Sequence, residues 1–413
     1  MVDRQGRRGL VFEPAPNGTT ERYKARVAAV GRTLPPTRLT TDELMASTRR
    51  RTKIDLGRYT GVRERRVVDG DANSHTMAID SAREALARGE VAADELEVVI
   101  GCGVTKSRGF SATEWAIEPP VASEVARTIG ATNAMTFDIG NACAGMLTGA
   151  FILSNWIRLG RIRRGMVVSG EHLTPSARNA AKHVRNLLSR EVASLTVGDA
   201  GAAMILERAE DDDAPGILYG LTTVAKHSRL CIGQLTPNDP GPRMFTRPVA
   251  LHNAAMKNMP IVYQQSLEAL GVPLEGIHHV IPHQTSKSAI KTGIRHITNH
   301  LDQKLHSHAV VTLDRFGNTA STSHTVALID ELESGRIHAG ERVVLLALAS
   351  GLVVGGMFFT ADERLVNSYP DRGTGEHALN GAPAAAATTN GNGNGNGHAA
   401  IDAATLQTMS TAR

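Results

Sequence analysis

Cysteine is scarce in this chain: 413 residues hold 3, namely Cys102, Cys143 and Cys231. An odd number at wide spacing excludes a disulfide framework and a CxxC metal pair, and it fits a reducing cytoplasm. Aromatic residues make up only 4% and no recognition motif accompanies the formal net charge of +4, so no nucleic-acid partner is expected. No apolar stretch follows the polar N-terminal residues, so no signal peptide is expected. The longest apolar run, Val343 to Phe359, contains Ser350, Gly351, Gly355 and Gly356. It falls short of the ~20 residues of a membrane span and reads as two buried strands joined by a glycine turn.

What is present is apolar material for a large core, 41% of the chain. Residues 1–24 read as a flexible extension, and a strand starts near Ala25. The tail at 371–413, with its alternating Asn-Gly block, cannot bury enough apolar surface to offset chain entropy and is expected to be disordered. Between these ends the chain echoes itself. Asp94 to Ile100 resembles Leu274 to Ile281, with Ile100 and Ile281 separated by 181 (281 − 100). Gly160 to Val168 resembles Gly335 to Val344, an offset of 175 (335 − 160). Two echoes in one order predict a duplicated α/β module, one half at 25–212 and the other at 213–364. Each half reads as helix, strand, helix, strand: Ser74 to Arg88, Leu96 to Gly101, Gly145 to Gly160 and Met166 to Ser169, then Ala255 to Leu270, Val280-Ile281, Thr319 to Ser334 and Val343 to Leu348. The alternation predicts layered α/β architecture.

Chemistry-bearing residues fall at strand ends, where ligands gather in such folds. Cys143 follows the strand Met135 to Ile139 and precedes a helix, a place where free N–H groups and the helix dipole favour thiolate. His283 follows another strand, in Pro282-His283-Gln284. Asn318 opens a helix in the second half, 175 residues after Cys143 (318 − 143), which makes it the expected counterpart of Cys143 across a pseudo-twofold. Singly, each has a plain alternative: a buried small hydrophobe, a loop histidine, a helix cap.

The motifs Asn141-Ala142-Cys143-Ala144-Gly145, Pro282-His283-Gln284 and Asp314-Arg315-Phe316-Gly317-Asn318-Thr319-Ala320-Ser321 resemble the β-ketoacyl-ACP synthase III group of the thiolase superfamily. So do Tyr59 to Arg65 and Val197 to Ala202, and the resemblance spans roughly residues 25–362. It implies a five-layered αβαβα thiolase fold, a homodimer or a heterodimer with a homologous subunit, and no tightly bound cofactor or metal. Substrates would be acyl-CoA or acyl-carrier-protein thioesters, with the carrier protein a further partner. Cys143 would take the acyl group. His283 and Asn318 would donate hydrogen bonds to the second thioester as it gains enolate character. The oxyanion hole would use the backbone N–H of Cys143 and the loop at Ser350, where the family carries successive glycines.

Glu118, in Glu118-Pro119-Pro120, is similar in place to the base of the head-to-head acyl condensing enzymes of olefin and β-lactone pathways. That likeness implies non-decarboxylative joining of two fatty acyl chains, with Glu118 removing an α-proton. The alternatives are decarboxylative condensation with a malonyl thioester, a partner subunit of a heteromeric condensing enzyme, and acyl transfer to an alcohol or amine. The order Cys, His, Asn also occurs in papain-like proteases, but the Cys-Gly-Ser-Cys-Trp signature is missing. Arg63, Arg65 and Arg66 form a basic cluster of the kind that sits on a solvated face or attracts phosphates.

Overall fold

The computed structural model describes residues 22–48, 54–108, 114–115, 119–210, 216–223, 227, 229–235, 242–305, 307 and 309–369. Glu118, most of the N-terminal extension and the 371–413 tail lie outside the described residues.

In chain order the first half runs β1 (Ala25–Thr33), β2 (Arg38–Thr40), α1 (Thr41–Ala46), α2 (Leu56–Thr60), β3 (Glu64–Arg66), α3 (Ser74–Gly89), β4 (Val98–Gly101), β5 (Ser107–Arg108), β6 (Glu114–Trp115), α4 (Val121–Ile129), β7 (Met135–Asp138), α5 (Gly145–Arg158), β8 (Arg164–Glu171), α6 (Thr174–His183) and β9 (Ala200–Arg208). The second runs β10 (Leu218–Thr223), β11 (Cys231–Leu235), β12 (Pro242–Thr246), α7 (Pro248–Leu270), β13 (His279–Pro282), α8 (Lys287–Leu301), α9 (Leu313–Phe316), α10 (Ser323–Glu333), β14 (Arg342–Ala349), β15 (Val353–Thr360) and α11 (Glu363–Asn367).

Two sheets carry the architecture, ordered β1-β9-β8-β4-β7 and β10-β15-β14-β13. Their pairings match: β4 is parallel to β8 as β13 is to β14, and β8 is antiparallel to β9 as β14 is to β15. Strands β4 and β13 are 181 residues apart at both ends (279 − 98; 282 − 101), the offset of the first sequence echo.

The strands are apolar on both faces because both faces are covered. Val98 and Ile100 of β4 point into a central core with α5, while Val99 points to α3 and α4. Val343 and Leu345 of β14 share that central core with α10, while Val344 and Leu346 meet α7 and α8. Helices α5 and α10 therefore form a layer between the sheets, with a helical layer outside each: the five-layered αβαβα thiolase fold. Every residue of α10 is buried, as a helix enclosed on all sides requires. Among the described residues no helix is long and apolar enough to cross a membrane.

The duplication register differs from the expectation at one place that matters. After β7 the chain makes a single 3-10 turn, Ala142–Ala144, and enters α5 at Gly145. In the second half the matching turn is Ala320–Thr322, and α10 begins at Ser323. Each turn starts on an alanine with positive φ, 47° at Ala142 and 48° at Ala320. The offset is 178 (320 − 142; 323 − 145), so the counterpart of Cys143 is Ser321, not Asn318. Asn318 lies three residues earlier, in the loop that leads into the turn. The repeated Gly-Arg-Ile segments sit in loops, whose lengths drift; the buried helix starts keep the true register.

Candidate active site

Cys143 is the middle residue of its 3-10 turn and is half-buried. Gly145, two residues further on, has no room for a side chain: a Cβ there would lie 2.2 Å from the Cys102 carbonyl oxygen. This close approach seats the turn against the end of β4. The turn also packs against the Ala320–Thr322 turn and against β14, so the two halves meet at the thiol. Cys143 packs against an apolar cluster that includes Leu195 and Ala320, as does Met244 of β12. Burial raises the thiol above its ordinary range, and the buried Glu171 carboxylate and then Cys231 add to the rise. This direction is opposite to the one the helix dipole favours; α5 starts two residues after the cysteine.

His283 lies just past β13 and is buried, 4% exposed. Its Nδ1 is 2.8 Å from Ser323 Oγ, and its backbone N–H donates to Leu346 O at 3.0 Å. Burial, and then the adjacent His324, lowers its pKa to about 3. The imidazole is neutral at physiological pH. A small apolar cavity of about 30 Å³ flanks it on the α7–α8 side, with Met256, Met259, Ile290 and Gly293 in its wall.

Asn318 is pinned through its backbone: its N–H donates to Thr196 O at 2.8 Å, and its carbonyl accepts from Gly198 N at 3.1 Å. Its side-chain Oδ1 accepts the Ala320 N–H at 3.0 Å. With the oxygen so occupied, the Nδ2 amide is the group left to donate. Ser350 is half-buried and follows directly on β14, whose packing against the Cys143 turn brings that strand to the thiol. The turn beyond it contains a cis Gly351–Leu352 peptide.

Two matching segments cover these residues. The model for 3-oxoacyl-(acyl-carrier-protein) synthase III matches residues 137–223, which hold Cys143, and the model for its C-terminal part matches 267–361, which hold His283, Asn318 and Ser350. The chain is a synthase III-like condensing enzyme of the thiolase superfamily. Among curated relatives, the β-ketoacyl-ACP synthase III of Erythrobacter litoralis is 27% identical over 340 residues, 80% of this chain and 98% of that protein. That of Listeria innocua is 26% identical over 298 residues, 72% and 86%. A structure of Xanthomonas campestris OleA with bound lauric acid and lauroyl-CoA is 25% identical with a TM-score of 0.70, covering 82% of this chain and 99% of that one. The synthase III of Aquifex aeolicus shares the fold, with a TM-score of 0.68 at 22% identity over 82% of this chain and all of that one.

This condensing enzyme carries site residues that the sequence did not single out. Glu171 ends β8, fully buried. Its carboxylate accepts from Val104 N at 2.9 Å, from Thr105 N at 3.0 Å and Oγ1 at 2.9 Å, and from the Ser321 hydroxyl in a short bond. Burial still raises its pKa above the usual carboxylate range. Asp138, at the end of β7, accepts Val121 N at 3.1 Å and Ala122 N at 3.0 Å and pairs with Lys106 at 2.9 Å. One carboxylate on the strand that leads to Cys143 therefore ties down both flanks of the segment bearing Glu118. The signal for Ser321 was available only to a reader holding the 178-residue register, and no sequence pattern marked Glu171.

Family motifs elsewhere prove structural in this enzyme. Arg65 and Arg66 are buried rather than set on a solvated face. Arg65 donates to Leu195 O and, at 2.7 Å, to Thr41 Oγ1; burial lowers its pKa to about 10. Arg66 donates to Pro36 O at 3.2 Å. Neither is placed to meet a phosphate in solution; of the three, only Arg63 is exposed. Asp199, fully buried, gathers the amides of Val68, Leu173 and Thr174. No group of three or more His, Cys, Asp or Glu that could hold a metal occurs among the described residues.

Proposed function

We propose that the enzyme joins two fatty acyl thioesters without decarboxylation, through an acyl-Cys143 intermediate. The observation that carries the reading is the junction itself: a half-buried thiol at the seam of the two halves, with a neutral histidine and an asparagine whose amide is turned to donate on the second-half side. The thiol of Cys143 attacks the first thioester carbonyl. Its backbone N–H and the Ser350 loop receive the oxyanion, and the coenzyme or carrier thiol leaves with the proton. His283 and Asn318 then hydrogen-bond the carbonyl of the second thioester. Glu118 removes its α-proton, and the resulting carbon attacks acyl-Cys143, releasing the thiol and forming the new C–C bond.

The likeness to OleA with bound lauroyl-CoA supports long-chain acyl thioesters as substrates. The names of the curated relatives support a second reading, decarboxylative condensation with a malonyl thioester. The two separate by mass spectrometry of products formed from acyl-CoA alone and from acyl-CoA with a malonyl thioester. Product from acyl-CoA alone carries the first reading; product only with malonyl thioester replaces it by the second. Cys143→Ala is expected to abolish labelling by a radioactive acyl thioester, and persistent labelling would overturn both.

Two surfaces support a carrier protein as delivery partner and an assembly of two copies. Lys287, Lys291 and Arg295 are exposed at four-residue spacing on α8, one face of a helix that starts four residues after His283, and suit the acidic surface of a carrier protein. Strand β7 is an edge of its sheet with partly exposed Met135 and Phe137. An uncovered apolar edge invites strand pairing, and a second copy of this chain is its proposed occupant.

A further inference from the structure

Two residues that open α10 bear on His283, and neither takes part in the chemistry above. Ser323 Oγ is 2.8 Å from His283 Nδ1 and also 2.8 Å from the Ala320 carbonyl oxygen. That carbonyl already accepts the backbone N–H of Ser323. The hydroxyl has a single proton and two acceptors in reach. His324, the next residue, stacks on His283 with ring centroids 5.6 Å apart and planes inclined by 29°. Its Nε2 is 2.8 Å from Leu346 O. A carbonyl only accepts, so His324 carries its proton on Nε2, and its buried Nδ1 has no hydrogen-bond partner among the described residues. Leu346 O also receives the amide of His283, so one carbonyl anchors both histidines.

A neutral imidazole holds one proton. When Ser323 donates to Nδ1, His283 keeps its proton on Nε2 and is a donor. When Ser323 accepts from Nδ1–H, Nε2 presents a lone pair, which repels a substrate carbonyl oxygen. Protonating both nitrogens is no escape. The ring is buried, a second imidazole is stacked on it, and the N-terminus of α10, where the dipole disfavours a cation, begins at Ser323. The Ala320 carbonyl has a second lone pair for the hydroxyl, so the donor role of His283 is met only where Ser323 gives its proton to Nδ1 rather than to that carbonyl.

We propose that Ser323 is a positioning residue that fixes the Nε2–H tautomer of His283, with the His324 ring as its backing. The proposal rests on the donor role given to His283 above. It is tested in the full chain with Ser323→Ala, Ser323→Thr and His283→Ala. The readouts are condensation of lauroyl-CoA, acylation of Cys143 by the same thioester, and the nitrogen NMR spectrum of histidine-labelled protein, in which protonated and bare ring nitrogens are distinct. The His283 signals are those missing from His283→Ala.

The expected result is a protonated Nε2 in the unsubstituted enzyme. Ser323→Ala lowers kcat several-fold with KM and acylation unchanged, because a ring whose Nδ1 has lost its partner is no longer held as the Nε2–H tautomer. Ser323→Thr, which keeps the hydroxyl, restores kcat. A bare Nε2 in the unsubstituted enzyme, or full kcat in Ser323→Ala beside an inactive His283→Ala, overturns the role of Ser323 alone. Full condensation by His283→Ala overturns the donor role and this proposal together. Should Ser323→Ala fail to fold, the spectrum of the unsubstituted enzyme decides.

Discussion

Cys143 and Ser321 hold matching places in the two halves, 178 residues apart (321 − 143), each at the centre of a 3-10 turn that starts on a positive-φ alanine and precedes a helix of the central layer. The two turns pack on each other. The duplicated frame thus presents two hydroxyl- or thiol-bearing side chains at its seam and uses them differently. Cys143 is left half-buried, whereas the Ser321 hydroxyl is spent on the Glu171 carboxylate and on Ser169 Oγ at 2.8 Å. Ser321 thereby joins β8 of the first half to the turn of the second.

Removing that link is expected to destabilise the fold. Ser321→Ala leaves a buried carboxylate short of one donor, at a cost of about 1–3 kcal/mol. Urea unfolding of the variant beside the unsubstituted protein measures it. An unchanged midpoint at equal m-value shows that Val104 and Thr105 suffice.

The reactivity of Cys143 follows from its burial and from Glu171. Because its pKa is raised, little thiolate exists at neutral pH, and alkylation by iodoacetamide should climb by about tenfold per pH unit from pH 7 to 9 without levelling off. Glu171→Gln removes a neighbouring negative charge and should speed alkylation at a fixed pH. A plateau near pH 7 contradicts the first expectation, and a slower variant contradicts the second.

His283 and His324 make stability depend on pH with a definite sign. Their folded values, about 3 and about 4, lie below the ordinary 6.5. Between 6.5 and 4 the unfolded chain binds protons that the native state refuses, so stability falls as pH falls through this window. Each histidine contributes about 1.4 kcal/mol per pH unit to the slope. His324→Phe should flatten the slope measured by urea unfolding from pH 7 to 4.5. An unaltered slope would show that His324 takes up its proton without unfolding.

The α8 stripe separates the two ways of delivering substrate. Lys291→Glu with Arg295→Glu should raise KM for an acyl-carrier-protein substrate at low salt and leave KM for the same acyl chain on coenzyme A unchanged. Equal effects on both substrates would place the stripe in coenzyme binding instead.

The sequence by itself determined the layers and singled out the candidate reacting groups. Strand runs such as Val98-Val99-Ile100 and Val343 to Leu346 are apolar at every position because each sheet is covered twice, and that pattern is local and readable. The echo between β4 and β13 survived because both are buried strands of fixed length. The motif around Cys143, His283 and Asn318 was equally legible, being continuous in the chain. Only the tertiary structure decided that Ser321 is the counterpart of Cys143, since loop lengths between echoes hide the register of the helix starts. It alone decided that burial raises the pKa of the thiol, that Arg65 and Arg66 are buried, and that Ser323 and His324 flank His283. Those outcomes depend on desolvation and on partners 40 to 150 residues away in sequence, as for His283 with Ser323 and Glu171 with Ser321. Periodicity and spacing carry no record of such contacts; burial sets their strength, and burial exists only once the halves have closed on each other.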